Sequence, residues 1–137
     1  MRSSAFFIAA SCAALTACGS GQKLADGPIE LTGMSHRVQF IQPVAAGAGG
    51  WELCFEFSTP ADSQKAHQIE SSLLSEAGRV IQLTGPRFDR RGESLVCHIF
   101  AEPVAAPGAP PTLFTGVILG SSIPISLRGI RGGPPAP

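Results

Sequence analysis

The strongest constraint on the fold of this chain is a run of alternating apolar and polar residues at positions 51–58. The apolar members are Trp51, Leu53, Phe55 and Phe57. Successive side chains of a β-strand point to opposite faces, so this pattern predicts a strand with one buried face and one polar face. Such a strand belongs to a sheet that buries one face against another layer of structure.

Further segments rich in β-branched and aromatic residues predict the other strands. They are residues 36–44, 79–84, 94–101, 112–119 and 123–128. A turn of small residues at 45–50 predicts a hairpin between the strands at 36–44 and 51–58. The Gly120-Ser121-Ser122 turn predicts a last hairpin, and Pro124 places its second strand at a sheet edge because proline cannot donate to a ladder.

A helix is predicted after the strand at 51–58. Thr59 supplies an N-cap hydroxyl, Pro60 suits the first helical position and Asp62 places an acid in the first turn. Apolar residues then recur at intervals of three and four, with Gly78 as the stop signal. These apolar residues are Ala66, Ile69, Leu73, Leu74 and Ala77.

The order of these elements predicts an α+β fold. Its architecture would be a small antiparallel sheet with one helix packed on a face. A β-sandwich carrying one helix is the alternative.

The first eighteen residues predict where the protein is located. Arg2 precedes an apolar run at 5–15, the arrangement of a secretory signal. That run is too short for a membrane span, which takes about 20 residues. The ending Leu15-Thr16-Ala17-Cys18 resembles the lipobox of bacterial lipoproteins. The resemblance implies that residues 1–17 are a signal peptide and that Cys18 carries acyl chains such as palmitate. Cys12 is the rival anchor site, with a poorer upstream match.

The same resemblance implies a location and divides the chain. Two or more acyl chains hold a soluble domain stably on a bilayer. Since no Asp follows Cys18, the implied destination is the outer membrane, with the domain facing the periplasm. Residues 18–35 are then the lipidated Cys and a flexible tether, although Ile29 and Leu31 suggest a short edge strand as the alternative. Residues 36–130 form a single small globular domain, and residues 131–137 are a disordered tail.

Cys54 and Cys97 are predicted to form a disulfide, because export places them in an oxidising compartment. Buried free thiols are the alternative. The alternation patterns of the two strands conflict with this pairing. Cys54 falls on the polar face of its strand, while Cys97 falls on the same face as the apolar Leu95 and Ile99. Pairing therefore requires a covered polar face or a bulge that changes the phase.

The charge distribution and the motifs exclude several functions. The chain has ten basic and ten acidic residues, without the basic footprint of a nucleic-acid-binding protein. It contains no G-x-S-x-G, P-loop, H-E-x-x-H or C-x-x-C pattern. We therefore expect a protein that is not an enzyme and that needs neither a cofactor nor a metal.

Two groups of residues are candidates for contact with other molecules. Arg87, Arg90 and Arg91 lie in a predicted charged turn and are suited to lipid phosphates or an acidic partner, unless they form only a solvated hairpin tip. His98 would pair with Glu52 or Glu56 if the two cysteine-containing strands are neighbours.

The expected function is that of a membrane-anchored, non-enzymatic envelope lipoprotein with a role in protein interaction or envelope assembly. The alternative is an envelope lipoprotein that binds a small molecule or a metal through Glu52, Glu56 and His98.

Overall fold

The protein is a two-sheet β-sandwich in the computed structural model, which describes residues 21–46, 51–82, 87–100 and 112–133. Its strands are β1 (Gln22–Leu31), β2 (His36–Ala46), β3 (Trp51–Phe57), β4 (Ile69–Ser75), β5 (Val80–Gln82), β6 (Arg87–Arg90), β7 (Leu95–Phe100), β8 (Thr112–Ser121) and β9 (Ile125–Gly133). One sheet has the order β1-β9-β3-β7-β6 and the other β2-β8-β4-β5. All neighbouring strands are antiparallel.

The core lies between the two sheets and is centred on Trp51. Its ring lies 6.4 Å from that of Phe40 and 6.2 Å from that of Phe114, which belong to β2 and β8 of the opposite sheet. All four apolar residues of the alternating run are fully buried. Each such side chain stabilises the fold by about 1.5–3 kcal/mol relative to an exposed one. The prediction from the alternating pattern is confirmed.

The predicted helix is wrong beyond its first turn. Thr59 caps helix α1 (Pro60–Ser63) as expected, because its Oγ1 accepts a hydrogen bond of 3.1 Å from the Asp62 N–H. A 3-10 turn at Ala66–Gln68 follows, and the chain then enters β4. Ile69 and Leu73 are four residues apart, a spacing that suits both one face of a helix and one face of a strand. Because this segment pairs with β8 and β5, it forms a strand. The α+β fold with a helix on a sheet face is therefore overturned.

Both predicted hairpins are wrong, because the chain crosses between sheets where a hairpin was expected. β2 and β3 lie in different sheets, as do β8 and β9. β9 is an inner strand between β1 and β3, and Pro124 precedes it in the connection rather than occupying an edge. The expected charged turn is also partly a strand, since Arg87–Arg90 form β6 at the edge of the larger sheet.

The predicted tether is largely a strand. β1 pairs with β9 from Gln22 to Leu31, and Leu24 and Leu31 are fully buried. The edge-strand alternative is therefore correct, and the strand begins earlier than Ile29. Part of the predicted tail, residues 131–133, belongs to β9. The signal peptide, Cys12, Cys18, the turn glycines at 47–50 and residues 134–137 lie outside the described residues.

Three connections between the sheets lie at one end of the sandwich, which we call the turn end. They are residues 32–35, 58–68 and 122–124. Ser122 Oγ lies 3.2 Å from Gln68 Oε1, which joins two of these connections. β1 starts at the opposite end, the entry end, and its ten residues span about 30 Å. Among the described residues, no helix is long and apolar enough to cross a membrane.

Candidate functional site

The predicted disulfide is present between Cys54 and Cys97. The two residues are directly opposite one another on β3 and β7, so their side chains share one face of the sheet. This is the outer face, which points away from the smaller sheet. Cys54 is on the polar face of its strand, as expected, and the register of the two strands brings Cys97 to the same face.

A charged lattice of five residues surrounds this disulfide on the outer face. Its members are Glu52, Glu56, Asp89, Arg91 and Arg131. Arg91 donates hydrogen bonds of 2.8 and 2.9 Å to the two carboxylate oxygens of Glu52, and its Nε donates to Asp89 at 2.8 Å. Arg131 donates to Glu56 at 2.7 Å. Asp89 pairs in register with Cys97, and Arg131 with Cys54, so charges flank the disulfide on both sides.

Glu52 is the most buried member of the charged lattice. Its side chain is 1% exposed, and its Oε2 lies 3.6 Å from Cys54 Sγ. Burial opposes the charged form of Arg91, but the hydrogen bonds to Glu52 and Asp89 outweigh it and raise the pKa of Arg91. Glu52, Cys54 and Cys97 place possible metal-ligand atoms within 4.8 Å of one another. These atoms already have partners, since the sulfurs are bonded to each other and both carboxylate oxygens accept from Arg91.

The three arginines singled out from the sequence have different roles in the structure. Arg87 is exposed at the start of β6. Arg90 holds α1 and the residues after β6 in place through hydrogen bonds of 3.0 to 3.2 Å. Its acceptors are Ser63 Oγ and the backbone carbonyls of Ser63, Gly92 and Glu93. Arg91 belongs to the charged lattice. Arg90 and Arg91 are thus engaged in hydrogen bonds within the fold, and contact of the three arginines with phosphates or an acidic partner stays a prediction.

The expected pairing of His98 with Glu52 or Glu56 is wrong. The two strands are neighbours, but His98 is opposite Leu53 in the register. An offset of one residue places a side chain on the other face of a sheet. His98 consequently lies on the inner face, while Glu52 and Glu56 lie on the outer face. No joint site for a small molecule or a metal arises from these three residues.

His98 is a buried histidine among aromatic rings. It is 1% exposed, and the rings of Phe55 and Phe88 lie edge-on at 4.9 and 4.7 Å. Neither ring nitrogen has a partner in full hydrogen-bond geometry among the described residues, although the backbone of Ala66 lies close enough to favour the protonated ring. Burial lowers the pKa of His98 to about 4, and the nearby backbone of Ala66 only partly opposes this shift. The ring is therefore neutral at ordinary pH.

This burial predicts a loss of stability in mild acid. The folded-state pKa of about 4 lies below the value of 6.5 for an unperturbed histidine, so the unfolded chain takes up a proton first as the pH falls. The free energy of unfolding should be unaffected by His98 above about pH 6.5 and should decrease by about 3 kcal/mol between there and about pH 4.

Urea unfolding across this pH range measures the effect. His98→Phe should remove this part of the pH dependence, whereas His67→Ala, at an exposed position, should retain it. An unchanged pH dependence in His98→Phe would contradict the prediction.

Two concave regions lie at the turn end. A polar groove of about 360 Å³ includes Ser35, His67, Gln68, Glu70 and Ser122 in its lining, with Met34 at its side. A cavity of about 270 Å³ lies between α1, the 3-10 turn and strands β6 and β7. The sequence did not reveal either region, because residues 59–68 were expected to continue as a helix.

Comparisons of the chain with protein-family models, curated proteins and solved structures find no match. Function is therefore inferred from the residues and from their arrangement in the sandwich.

Proposed function

We propose that this protein is a bacterial envelope lipoprotein without enzymatic activity, anchored through Cys18 in the outer membrane. Its sandwich would present the turn end to a protein partner in the periplasm. The observation that carries this proposal is the start of β1 at Gln22, four residues after Cys18 in the sequence. The lipobox resemblance supplies the anchor, and the early strand limits how far the domain lies from it.

The short connection supports an entry end that stays close to the membrane. Four residues reach at most about 14 Å when fully extended. β1 then leads away from the anchor over about 30 Å to the turn end. An anchored sandwich would therefore rest with its entry end near the bilayer and its turn end facing the compartment. A seventeen-residue flexible tether would not have imposed this orientation.

The surface of the turn end supports a protein partner. Met34 in the β1–β2 connection is 71% exposed. The polar groove beside it includes Ser35, Gln68, Glu70 and Ser122. Exposed methionine with a polar surround is a composition found at protein interfaces, where methionine is enriched and the rim is polar. We therefore take the turn end as the proposed partner surface.

Anchoring is tested by the Cys18→Ala variant. We expect a precursor that retains residues 1–17 and incorporates no labelled fatty acid, because the acceptor thiol is absent. The measurement is metabolic labelling with a palmitate analogue, combined with mass determination of the protein. Cys12→Ala is the matched control and should be labelled and processed normally. Normal labelling of Cys18→Ala would contradict the anchor, and loss of labelling only in Cys12→Ala would move it to Cys12.

The arginine hypothesis needs a narrower variant than replacement of all three residues. Arg90 and Arg91 make structural hydrogen bonds, so a triple variant would disturb the fold. Arg87→Ser removes an exposed arginine that makes no side-chain hydrogen bond among the described residues, and we expect a change in the free energy of unfolding within about 0.5 kcal/mol. Association that is unchanged in Arg87→Ser would remove this residue from the interaction surface.

A further inference from the structure

We propose that the cavity between α1 and β6 binds a small organic anion with an apolar body, of the class of short-chain or aromatic carboxylates. The cavity has a volume of about 270 Å³. This is slightly below the range of ligand pockets, which measure about 300–1,000 Å³, and the cavity is open to solvent on one side. The site extends the proposed function, because it adds a small ligand at the end of the sandwich that an anchored protein would expose.

Arg90 supplies the charge that would recognise the anion. It lines the cavity, and the hydrogen bonds to Ser63, Gly92 and Glu93 hold its guanidinium in place. All of these acceptors are neutral hydroxyl or carbonyl oxygens, and among the described residues Arg90 has no carboxylate within ion-pair distance. A guanidinium fixed in this way loses little side-chain entropy when it binds a carboxylate.

Part of the lining is apolar. It is formed by Ala66, Val96 and Phe88. Phe88 is 46% exposed, although it lies on the inner face of its sheet opposite His98. An aromatic ring that is exposed within a concave surface gains burial when an apolar group covers it. The cavity therefore combines one fixed cation with an apolar wall, which matches a carboxylate attached to a hydrocarbon chain or ring.

His98 packs against the Phe88 ring that lines the cavity. The two rings are edge-on with centroids 4.7 Å apart, and His98 itself is not among the lining residues. A ligand that covers Phe88 is therefore expected to change the environment of His98 without touching it.

The binding test uses the purified full-length protein as cells produce it. Benzoate and hexanoate are titrated, with benzamide and hexanamide as neutral analogues of the same shape. Binding is followed by the melting temperature and by the NMR signals of Phe88 and His98. We expect saturable shifts with the carboxylates and affinities at least about tenfold weaker with the amides, since the charge contact with Arg90 is lost.

A charge placed in the cavity wall tests the location of the site. Gln64 lines the cavity and is exposed, so Gln64→Glu should fold normally and weaken carboxylate binding at least about tenfold. Gln82→Glu adds the same charge to exposed β5 in the other sheet and should leave binding unchanged. Arg90 itself is avoided because of its structural hydrogen bonds.

Three results would overturn the site. They are the absence of a saturable shift with either carboxylate, equal binding of carboxylates and amides, and equal weakening by Gln64→Glu and Gln82→Glu. The same results would not affect the proposed anchoring or partner contact, because binding is measured on the isolated protein. Conversely, a mass without acyl chains on the protein as cells produce it would contradict the anchor, while saturable binding to that same protein would still support the cavity.

Discussion

Loss of the Cys54–Cys97 crosslink should lower the free energy of unfolding by about 4 kcal/mol, because the unfolded chain regains the entropy of a long loop. The two cysteines are 43 residues apart in the sequence. The loss is a large share of the total stability of a small domain, which is about 5–15 kcal/mol. We expect a reduced protein that is markedly less stable at the same pH.

Urea unfolding of the oxidised and reduced protein measures this effect without changing the sequence. Cys54→Ala combined with Cys97→Ala provides a second form without the crosslink. Both cysteines are fully buried, so the double variant also loses packing and should be less stable than the reduced protein. Equal free energies of unfolding for oxidised and reduced protein would contradict the predicted contribution of the loop.

Arg91→Met should destabilise the fold by about 4 kcal/mol, because it leaves the Glu52 carboxylate buried without its partner. Glu52 is 1% exposed and accepts two hydrogen bonds from Arg91. Removal of one member of a buried ion pair costs much more than the pair contributes, because the remaining charge is left in a medium of low dielectric constant. The measurement is the free energy of unfolding in urea.

A double-mutant comparison separates the buried charge from lost packing. Addition of Glu52→Gln to Arg91→Met should restore most of the lost stability, since no charge then remains buried and unpaired. Arg131→Met is the matched control, because Arg131 and Glu56 are 29% and 22% exposed. This more exposed pair should contribute only about 1 kcal/mol. Similar losses of stability in Arg91→Met and Arg131→Met would contradict the prediction that the burial of Glu52 sets the size of the effect.

Local patterns in the sequence predicted the strands better than their connections. The alternation from Trp51 to Phe57 reports the environment of single residues, so it identifies β3 without further information. Ile69 and Leu73 suit both a helical period and a strand period, and the decision depends on pairing with β8, which lies more than 40 positions later. Likewise, β2 does not pair with β3 and β8 does not pair with β9, although each pair is consecutive in the chain. The choice of partners is a property of the whole sandwich.

The prediction of the candidate sites was limited in the same way, because it depends on the register between strands. The pairing of Cys54 with Cys97 could be predicted from the oxidising compartment that the lipobox resemblance implies. The position of His98 opposite Leu53 could not, because a shift of one residue exchanges the two faces of a strand. Arg91 is 39 residues from Glu52, and no local pattern indicates that their side chains meet. The cavity beside Arg90 depends on three separate segments and has no sequence signature.

Site-specific photo-crosslinking in intact cells is the most direct test of a partner contact at the turn end. A photoreactive residue replaces Met34 or Ser122 at the turn end, or Gln82 on β5 as a lateral control, in chains that retain Cys18. We predict one recurrent protein adduct from Met34 and Ser122, none from Gln82, and loss of the adduct when Cys18→Ala is added. Adducts from all three positions, or none from the turn end, would contradict the proposed partner contact.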